Sequence, residues 1–218
     1  TKINMKGNKF VIIFLILSVF PWLGFGQTKV SYKVHYSGDF EENGLRVQTE
    51  FITKKANDST YFHFSNDVWG QTNLMNCLQF EASENPNYRF RIDKDSNRII
   101  VYHPKGKKIN FSYRVKQDFI DNDPKSLNRP LVKNNYFHIL GQSLFAIPEA
   151  VFDERLKDPE ISARIEWLNF PESFKIHNTF GSQQKVQTLS VLLWHELYHS
   201  VFVGGDYRIH SFQYENKP

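Results

Sequence analysis

The sequence predicts a mainly all-β protein, either an antiparallel β-sandwich or a layered sheet, with one or two short helices. Many short segments alternate apolar and polar residues with period two, and polar turn signals separate them. Aromatic residues make up 16% of the chain and supply a large core. The sequence shows no internal repeat and no Ser/Pro-rich linker, so we expect one β-rich domain over residues 27–218.

The period-two segments give the order of the expected strands. Residues 30–36 and 45–51 are expected to form an antiparallel hairpin. Residues 93–97 and 104–106 are polar, contain turn-forming residues and are predicted to be turns. Further strands are predicted at residues 61–64, 88–92, 98–102, 109–115, 161–167, 174–180 and 207–214.

Residues 5–26 have the composition of a secretory signal peptide. Lys6 and Lys9 precede an apolar run that ends in the small-residue sequence GFGQ, and this run is too short to span a bilayer comfortably. We expect cleavage near residue 27 and a secreted or periplasmic protein without membrane contact. A retained N-terminal anchor is the alternative.

Charge and cysteine content exclude several classes of protein. The 27 basic residues include Lys2, Lys6 and Lys9 within residues 1–26, and the 24 that remain nearly balance the 23 acidic residues. There is no clustered Lys/Arg stripe, so we expect no nucleic acid partner. Cys77 is the only cysteine, which rules out an intramolecular disulfide and a four-cysteine zinc site.

The sequence WHELYHS contains His195-Glu196-x-x-His199, the pattern of a zinc-peptidase helix. On a helix, His195 and His199 lie one turn apart and can bind zinc through two imidazoles, while Glu196 polarises a water molecule. The apolar residues around the motif, from residue 193 to 202, form one helix face, and the motif residues and Ser200 lie on the opposite side.

A catalytic zinc also needs a third protein ligand, which the sequence does not supply. Gly205 stands ten positions after His195, where one protease class has a histidine. Gly204 and Gly205 predict a turn, and the alternating residues after them predict a strand, which leaves no second ligand helix. We therefore expect no catalytic residue and no metal site in this chain. The alternative keeps His195 and His199 as metal ligands and Glu196 as the catalytic base.

Two further segments are candidates for contact or packing roles. Residues 66–73 are predicted to form a surface loop, in which Trp69 is available for stacking on a sugar or a peptide, or for plugging a sheet edge. Residues 134–150 mix aromatics with Gly141 and Pro148, and we expect them to close the core rather than to line a pocket.

Three stretches resemble the N-terminal β-domain of the glycyl aminopeptidase family of zinc metallopeptidases. They are VFVGGDYRIH (residues 201–210), IVYHPKGKKINFSYRVKQDF (residues 100–119) and NYFHILGQSLFAIPE (residues 135–149). The resemblance extends over about residues 30–214. In that family a thermolysin-like zinc domain follows the β-domain and holds the zinc ligands, so His195, Glu196 and His199 match no ligand position.

The resemblance implies a non-catalytic domain that packs on a downstream catalytic domain and helps to shape the cleft for a peptide substrate. It implies no cofactor in this chain and zinc in the catalytic domain, which we expect to be missing from a chain that is part of a longer protein. Two alternatives remain. One is a free-standing β-sandwich that binds carbohydrate or protein, and the other is a minimal zinc peptidase.

Overall fold

The computed structural model describes residues 28–80, 87–119, 128–152, 160–182, 185–208 and 210. Within these ranges the protein consists of two β-sheets, of eight and five strands, and two short α-helices. The predicted all-β layered fold is confirmed. The predicted signal peptide (residues 5–26) lies outside the described residues, and so do residues 209 and 211–214 of the last predicted strand. Tyr207 and Arg208, at the start of that predicted strand, are described and are not in a strand.

The two helices are α1 (Phe40–Asn43) and α2 (Trp194–His199), and neither is long enough to form a layer of its own. No helix in the described ranges has the length and apolar character needed to cross a membrane. The strands, in chain order, are β1 (Thr28–His35), β2 (Leu45–His63), β3 (Leu78–Phe80), β4 (Arg89–Asp93), β5 (Arg98–Val115), β6 (Leu131–Lys133), β7 (Tyr136–Leu140), β8 (Ile147–Pro148), β9 (Glu160–Leu168), β10 (Lys175–Asn178), β11 (Gly181–Ser182), β12 (Val186–Leu193) and β13 (Val201–Gly205).

The larger sheet has the strand order β12-β9-β1-β2-β5-β3, and β4 and β8 pair with the far ends of β5 and β2. The predicted antiparallel pairing of the first two strands is confirmed, with Val30 opposite Phe51. The other edge of β1 pairs in parallel with β9, so that Thr28 lies opposite Ile161. The smaller sheet has the order β11-β10-β13-β7-β6, and its described pairings are all antiparallel.

Aromatic side chains from the two sheets meet in the core. Trp167 of β9 stacks on Phe137 of β7 and contacts Phe202 of β13, both with ring centroids 5.9 Å apart. Phe145 connects the layers, because its ring lies 5.1 Å from Phe202 and 4.4 Å from Tyr32 of β1. Alternation places the four side chains that belong to strands on the inner faces of those strands, and the burial of all five rings stabilises the layered arrangement.

The segment of residues 134–150 closes this core, as predicted. Residues 141–148 are all buried. Tyr113 of β5 fixes the segment, since its hydroxyl donates to the Leu144 carbonyl at 2.8 Å and accepts from the Ala146 amide at 2.9 Å. These two backbone groups lie outside the strands of the segment and are thereby satisfied in the interior.

Two predicted turns are wrong. Residues 104–106 lie inside β5, which runs unbroken from Arg98 to Val115 opposite β2, a strand one residue longer. Gly204 and Gly205 belong to β13, where a Cβ at Gly204 would overlap the Phe137 ring. The predicted helix is therefore shorter than expected, because residues 201 and 202 form a strand.

Candidate binding surface around helix α2

The structure brings together two of the residues that the sequence singled out separately. Trp69, in the loop after β2, lies against His199 of α2 with ring centroids 5.4 Å apart and an interplanar angle of 35°. Both side chains are exposed, and Trp69 keeps 55% of its surface in solvent. An indole held at the surface by one neighbouring ring leaves its other face free for contact with another molecule.

A tight two-residue turn holds Trp69 in place. Val68 and Gln71 exchange backbone hydrogen bonds of 3.0 and 2.9 Å, and the residues between them have positive φ angles of 48° for Trp69 and 75° for Gly70. Such turns favour Asn-Gly, because a bulky L-residue with positive φ is strained. The Asp67 carboxylate accepts from the Asn73 amide at 3.1 Å and ties the two ends of the loop together.

Helix α2 continues the row of rings that begins at Trp69. The Tyr198 ring lies 5.0 Å from His199 and 5.5 Å from Trp194, and Trp194 lies 6.0 Å from His195. Leu197 and Tyr198 are buried, whereas His195 and His199 are exposed, as the predicted helix face requires. We call Trp69, Trp194, His195 and His199 the aromatic surface.

Buried polar contacts hold α2 to the body of the protein. The Tyr198 hydroxyl hydrogen-bonds to the Ser65 hydroxyl and lies 3.3 Å from His63 Nε2. Ser200, expected on the exposed side, is buried instead, and its hydroxyl donates to the Leu197 carbonyl at 2.6 Å. The contacts of Tyr198 with Ser65 and His63 fix the position of the helix and of the rings that it carries, and the Ser200 bond closes the helix end.

Glu196 has a structural partner in this arrangement. Its Oε2 accepts a hydrogen bond of 2.8 Å from the backbone amide of Leu193, at the start of α2. A carboxylate at this position satisfies an unpaired helix amide and interacts favourably with the helix dipole. In the part of the chain that the structure describes, no group of three or more His, Cys, Asp or Glu side chains is arranged to hold a metal ion.

Partial burial lowers the basicity of two histidines near α2, His199 and His63. It lowers the pKa of His199, and the neighbouring His195 lowers it further. Burial also lowers the pKa of His63, with a smaller contribution from the Arg98 guanidinium. Burial raises the pKa of the Tyr198 hydroxyl, which the hydrogen bond to Ser65 partly offsets. At neutral pH the rings of His63 and His199 are therefore predominantly uncharged.

Sequence reasoning missed the polar pair Gln142 and Ser143, which lies beside α2. Both residues are buried, and among the described residues neither Gln142 amide atom nor the Ser143 hydroxyl has a hydrogen-bond partner. The adjacent Gly141 amide donates to the Ser200 carbonyl at 2.8 Å. Buried unpaired polar groups of this kind usually bind ordered water or a group from another molecule. The sequence contains one indication of this pair, because Gln142 and Ser143 are polar residues within the apolar run ILGQSLFAI.

Comparison with known proteins gives a similarity of fold only. No protein-family model and no curated protein sequence matches the chain. Among solved structures, it is similar to an aminopeptidase N family protein from Idiomarina loihiensis, with a TM-score of 0.59 and 12% sequence identity. The similarity covers 85% of this chain but only 31% of that protein, so the chain spans about a third of its structural relative.

Proposed function

We propose that this chain is the non-catalytic β-domain of an aminopeptidase-like protein, and that it packs on a separate zinc-peptidase domain. The structural similarity is the observation that carries this proposal, since most of this chain superimposes on a minor part of a larger aminopeptidase-type protein. A domain of this size that corresponds to a fraction of an enzyme has the dimensions of one module of a multidomain protein.

The aromatic surface is the contact surface that we propose for the catalytic domain. Tryptophan is enriched among the residues that dominate binding energy at protein interfaces, because it buries a large area at low entropic cost. Trp69 is exposed and rests on an uncharged His199 ring, so its burial does not require desolvation of a charge at that position. The positive φ at Trp69 adds support, since local strain clusters at functional sites.

The finer assignment rests on the sequence resemblance to the glycyl aminopeptidase family. On the basis of this resemblance we propose that the protein is secreted or periplasmic, that its substrate is a peptide, and that the partner domain holds a catalytic zinc. The β-domain then shapes one wall of the substrate cleft and limits access to peptide N-termini. In this proposal His195 and His199 belong to the contact surface, and Glu196 stabilises the helix that presents them.

Two alternatives have an observation in their favour. The exposed Trp69 indole has the geometry for stacking on a sugar ring, which supports a carbohydrate-binding domain. His195 and His199 lie on the same exposed side of α2, which supports a minimal zinc peptidase. The hydrogen bond from the Leu193 amide to Glu196 argues against the peptidase, because it engages the carboxylate that would have to activate water.

The test fuses the chain to a zinc domain of the glycyl aminopeptidase family and measures hydrolysis of glycine-initiated peptides and thermal stability. The fusion should differ from the isolated zinc domain in activity or stability. Trp69→Ser should reduce that difference, since loss of a central tryptophan typically costs about 2 kcal/mol of binding energy or more. Tyr102→Ser removes an exposed aromatic of β5 and is the matched control, with no expected effect.

The chain alone distinguishes the alternatives. It should hydrolyse no peptide, and zinc-dependent turnover that Glu196→Gln abolishes would instead establish the minimal peptidase. Glycan binding by the chain alone, lost in Trp69→Ser, would favour the carbohydrate-binding domain. A fusion in which Trp69→Ser and Tyr102→Ser behave alike would contradict the proposed contact surface.

A further inference from the structure

A cavity separate from the aromatic surface lies at the crossover between the two sheets, between the end of β9 and the starts of β10 and β12. It is a cavity of about 440 Å³, within the size range of small-molecule sites. Trp167, Phe170 and Phe174 line it together with Ile176 and Val186. The site is therefore mainly apolar and aromatic.

The aromatic walls of this cavity are fixed before any ligand binds. The Tyr36 ring packs on Phe170 and Phe174, with centroid distances of 5.7 and 5.6 Å. The Trp167 indole N–H donates to Gln187 Oε1 at 3.4 Å, and its backbone amide donates to the Lys185 carbonyl at 2.8 Å. A preformed apolar cavity avoids the entropic cost of ordering its walls on binding.

Three charged side chains line the cavity: Lys175, Lys185 and Glu172. Lys175 is partly buried at the start of β10, whereas Lys185 and Glu172 are exposed. Among the described residues, neither lysine ammonium group forms a hydrogen bond or an ion pair. The Lys175 ammonium group, which lies closest to the interior, is thus available to a ligand. The cavity lining carries two lysines and one carboxylate, which favours an anionic ligand.

We propose that this cavity binds a small organic carboxylate with an aromatic or compact apolar body. The body stacks on the half-buried rings of Phe170 and Phe174, while the carboxylate is directed to the ammonium groups of Lys175 and Lys185. This arrangement matches the usual composition of ligand sites, in which apolar walls provide most of the contact and a few polar groups fix the orientation. The site is separate from the aromatic surface and does not depend on its function.

Three naphthalene compounds of similar size test the proposal by calorimetry on the full chain: 1-naphthylacetate, its neutral analogue 1-naphthylacetamide, and the cation 1-naphthylmethylamine. The carboxylate should bind with a submillimolar Kd, as expected for a ligand of this size. The amide should bind about fivefold more weakly, because it loses partly screened ion pairs.

Variants of the chain then assign the effect to the two lysines. The double variant Lys175→Met/Lys185→Met keeps the apolar stems and removes both charges, and should weaken 1-naphthylacetate about fivefold to tenfold without changing the affinity of the amide. Lys105→Met/Lys107→Met removes two exposed lysines of β5 and is the matched control. NMR shift changes on carboxylate binding should centre on residues 167–176.

Several outcomes would overturn the proposal. They are no binding at millimolar concentration, equal affinity for carboxylate and amide, or shift changes elsewhere in the protein. Tighter binding of 1-naphthylmethylamine would show that Glu172 governs the site and that its ligand is a cation. If Lys175→Met/Lys185→Met left the affinity for 1-naphthylacetate unchanged, the two lysines would not be the groups that bind the carboxylate.

Discussion

Substitution of Gly141 by alanine should separate helix α2 from the core segment that supports it. An alanine Cβ at this position would overlap the Leu197 carbonyl oxygen and lie 2.9 Å from the Ser200 hydroxyl. The first of these atoms belongs to the backbone, so the clash cannot be relieved by a side-chain rotation. Either α2 or the segment of residues 141–143 has to move by about an ångström or more before contact distances become normal.

The size of the effect follows from what this movement breaks. The buried hydrogen bond of 2.8 Å from the Gly141 amide to the Ser200 carbonyl is lost, at a cost of about 1–3 kcal/mol. Leu197, fully buried, loses part of its packing, which adds about 1–2 kcal/mol. The lower entropy of the unfolded alanine variant offsets about 0.5 kcal/mol. We expect a net destabilisation of about 3 kcal/mol, a large part of the stability of a typical domain.

Urea unfolding followed by circular dichroism measures this change. With an m-value of about 2 kcal/mol per molar urea, the midpoint should fall by more than about 1 M. Hydrogen exchange at the residue-141 amide should also accelerate. Gly106→Ala is the matched control, since its Cβ would meet only the Pro104 carbonyl at an ordinary 3.5 Å. A Gly141→Ala protein as stable as this control would refute the close packing of α2.

Two further predictions concern titratable groups. Because burial lowers the pKa of His63, the folded protein resists protonation of a ring that the unfolded chain protonates below about pH 6.5; stability should therefore fall as pH drops from about 7 to 5. His63→Gln should flatten that decline in thermal unfolding, and a slope identical to that of the wild type would contradict the assignment. Burial raises the pKa of the Cys77 thiol far above its usual range, so Ellman's reagent should modify it only after unfolding in guanidinium. Rapid modification of the native protein would show that Cys77 is accessible.

The strands that sequence reasoning predicted best are those with one face on the core. β1 and β9 alternate buried and partly or fully exposed positions along nearly their whole length, and their sequences carry that alternation. The sequence predicts two separate strands in place of β2 and two in place of β5. The reason is that the central parts of these strands, near residues 52–58 and 104–108, are mostly exposed. With no buried face to select apolar residues, the period-two pattern disappears there although the pairing continues with irregular register.

The sequence did not predict β12, because its apolar and polar residues do not alternate regularly either. A register shift between Leu189 and Leu192 interrupts the alternation of β12. In addition, the second residue of the strand is buried but polar, since it is Gln187. Gln187 is satisfied there by hydrogen bonds from Trp167 and Asn178. A buried glutamine looks like a surface residue in the sequence unless its partners are known.

In the candidate site too, features that depend on neighbouring residues could be predicted, whereas contacts between distant parts of the chain could not. The sequence identified Trp69 and the His195-Glu196-x-x-His199 motif as notable, because each depends on residue types at short spacing. It gave no indication that Trp69 and His199 are in contact, since that depends on how a loop and a helix from distant parts of the chain dock. The role of Glu196 at the helix start was likewise visible only in the structure.

The parallel pairing of β1 with β9 has a consequence for synthesis of the protein on the ribosome. Thr28 finds its partner Ile161 only after an interval of roughly 130 residues, about 7–25 s at common translation rates. During that interval β1 can pair with β2, but the backbone donors and acceptors on its other side remain open to pairing with other chains. A nascent chain of this protein should therefore depend on chaperone protection until β9 emerges, and pausing of translation before residue 160 should increase its aggregation.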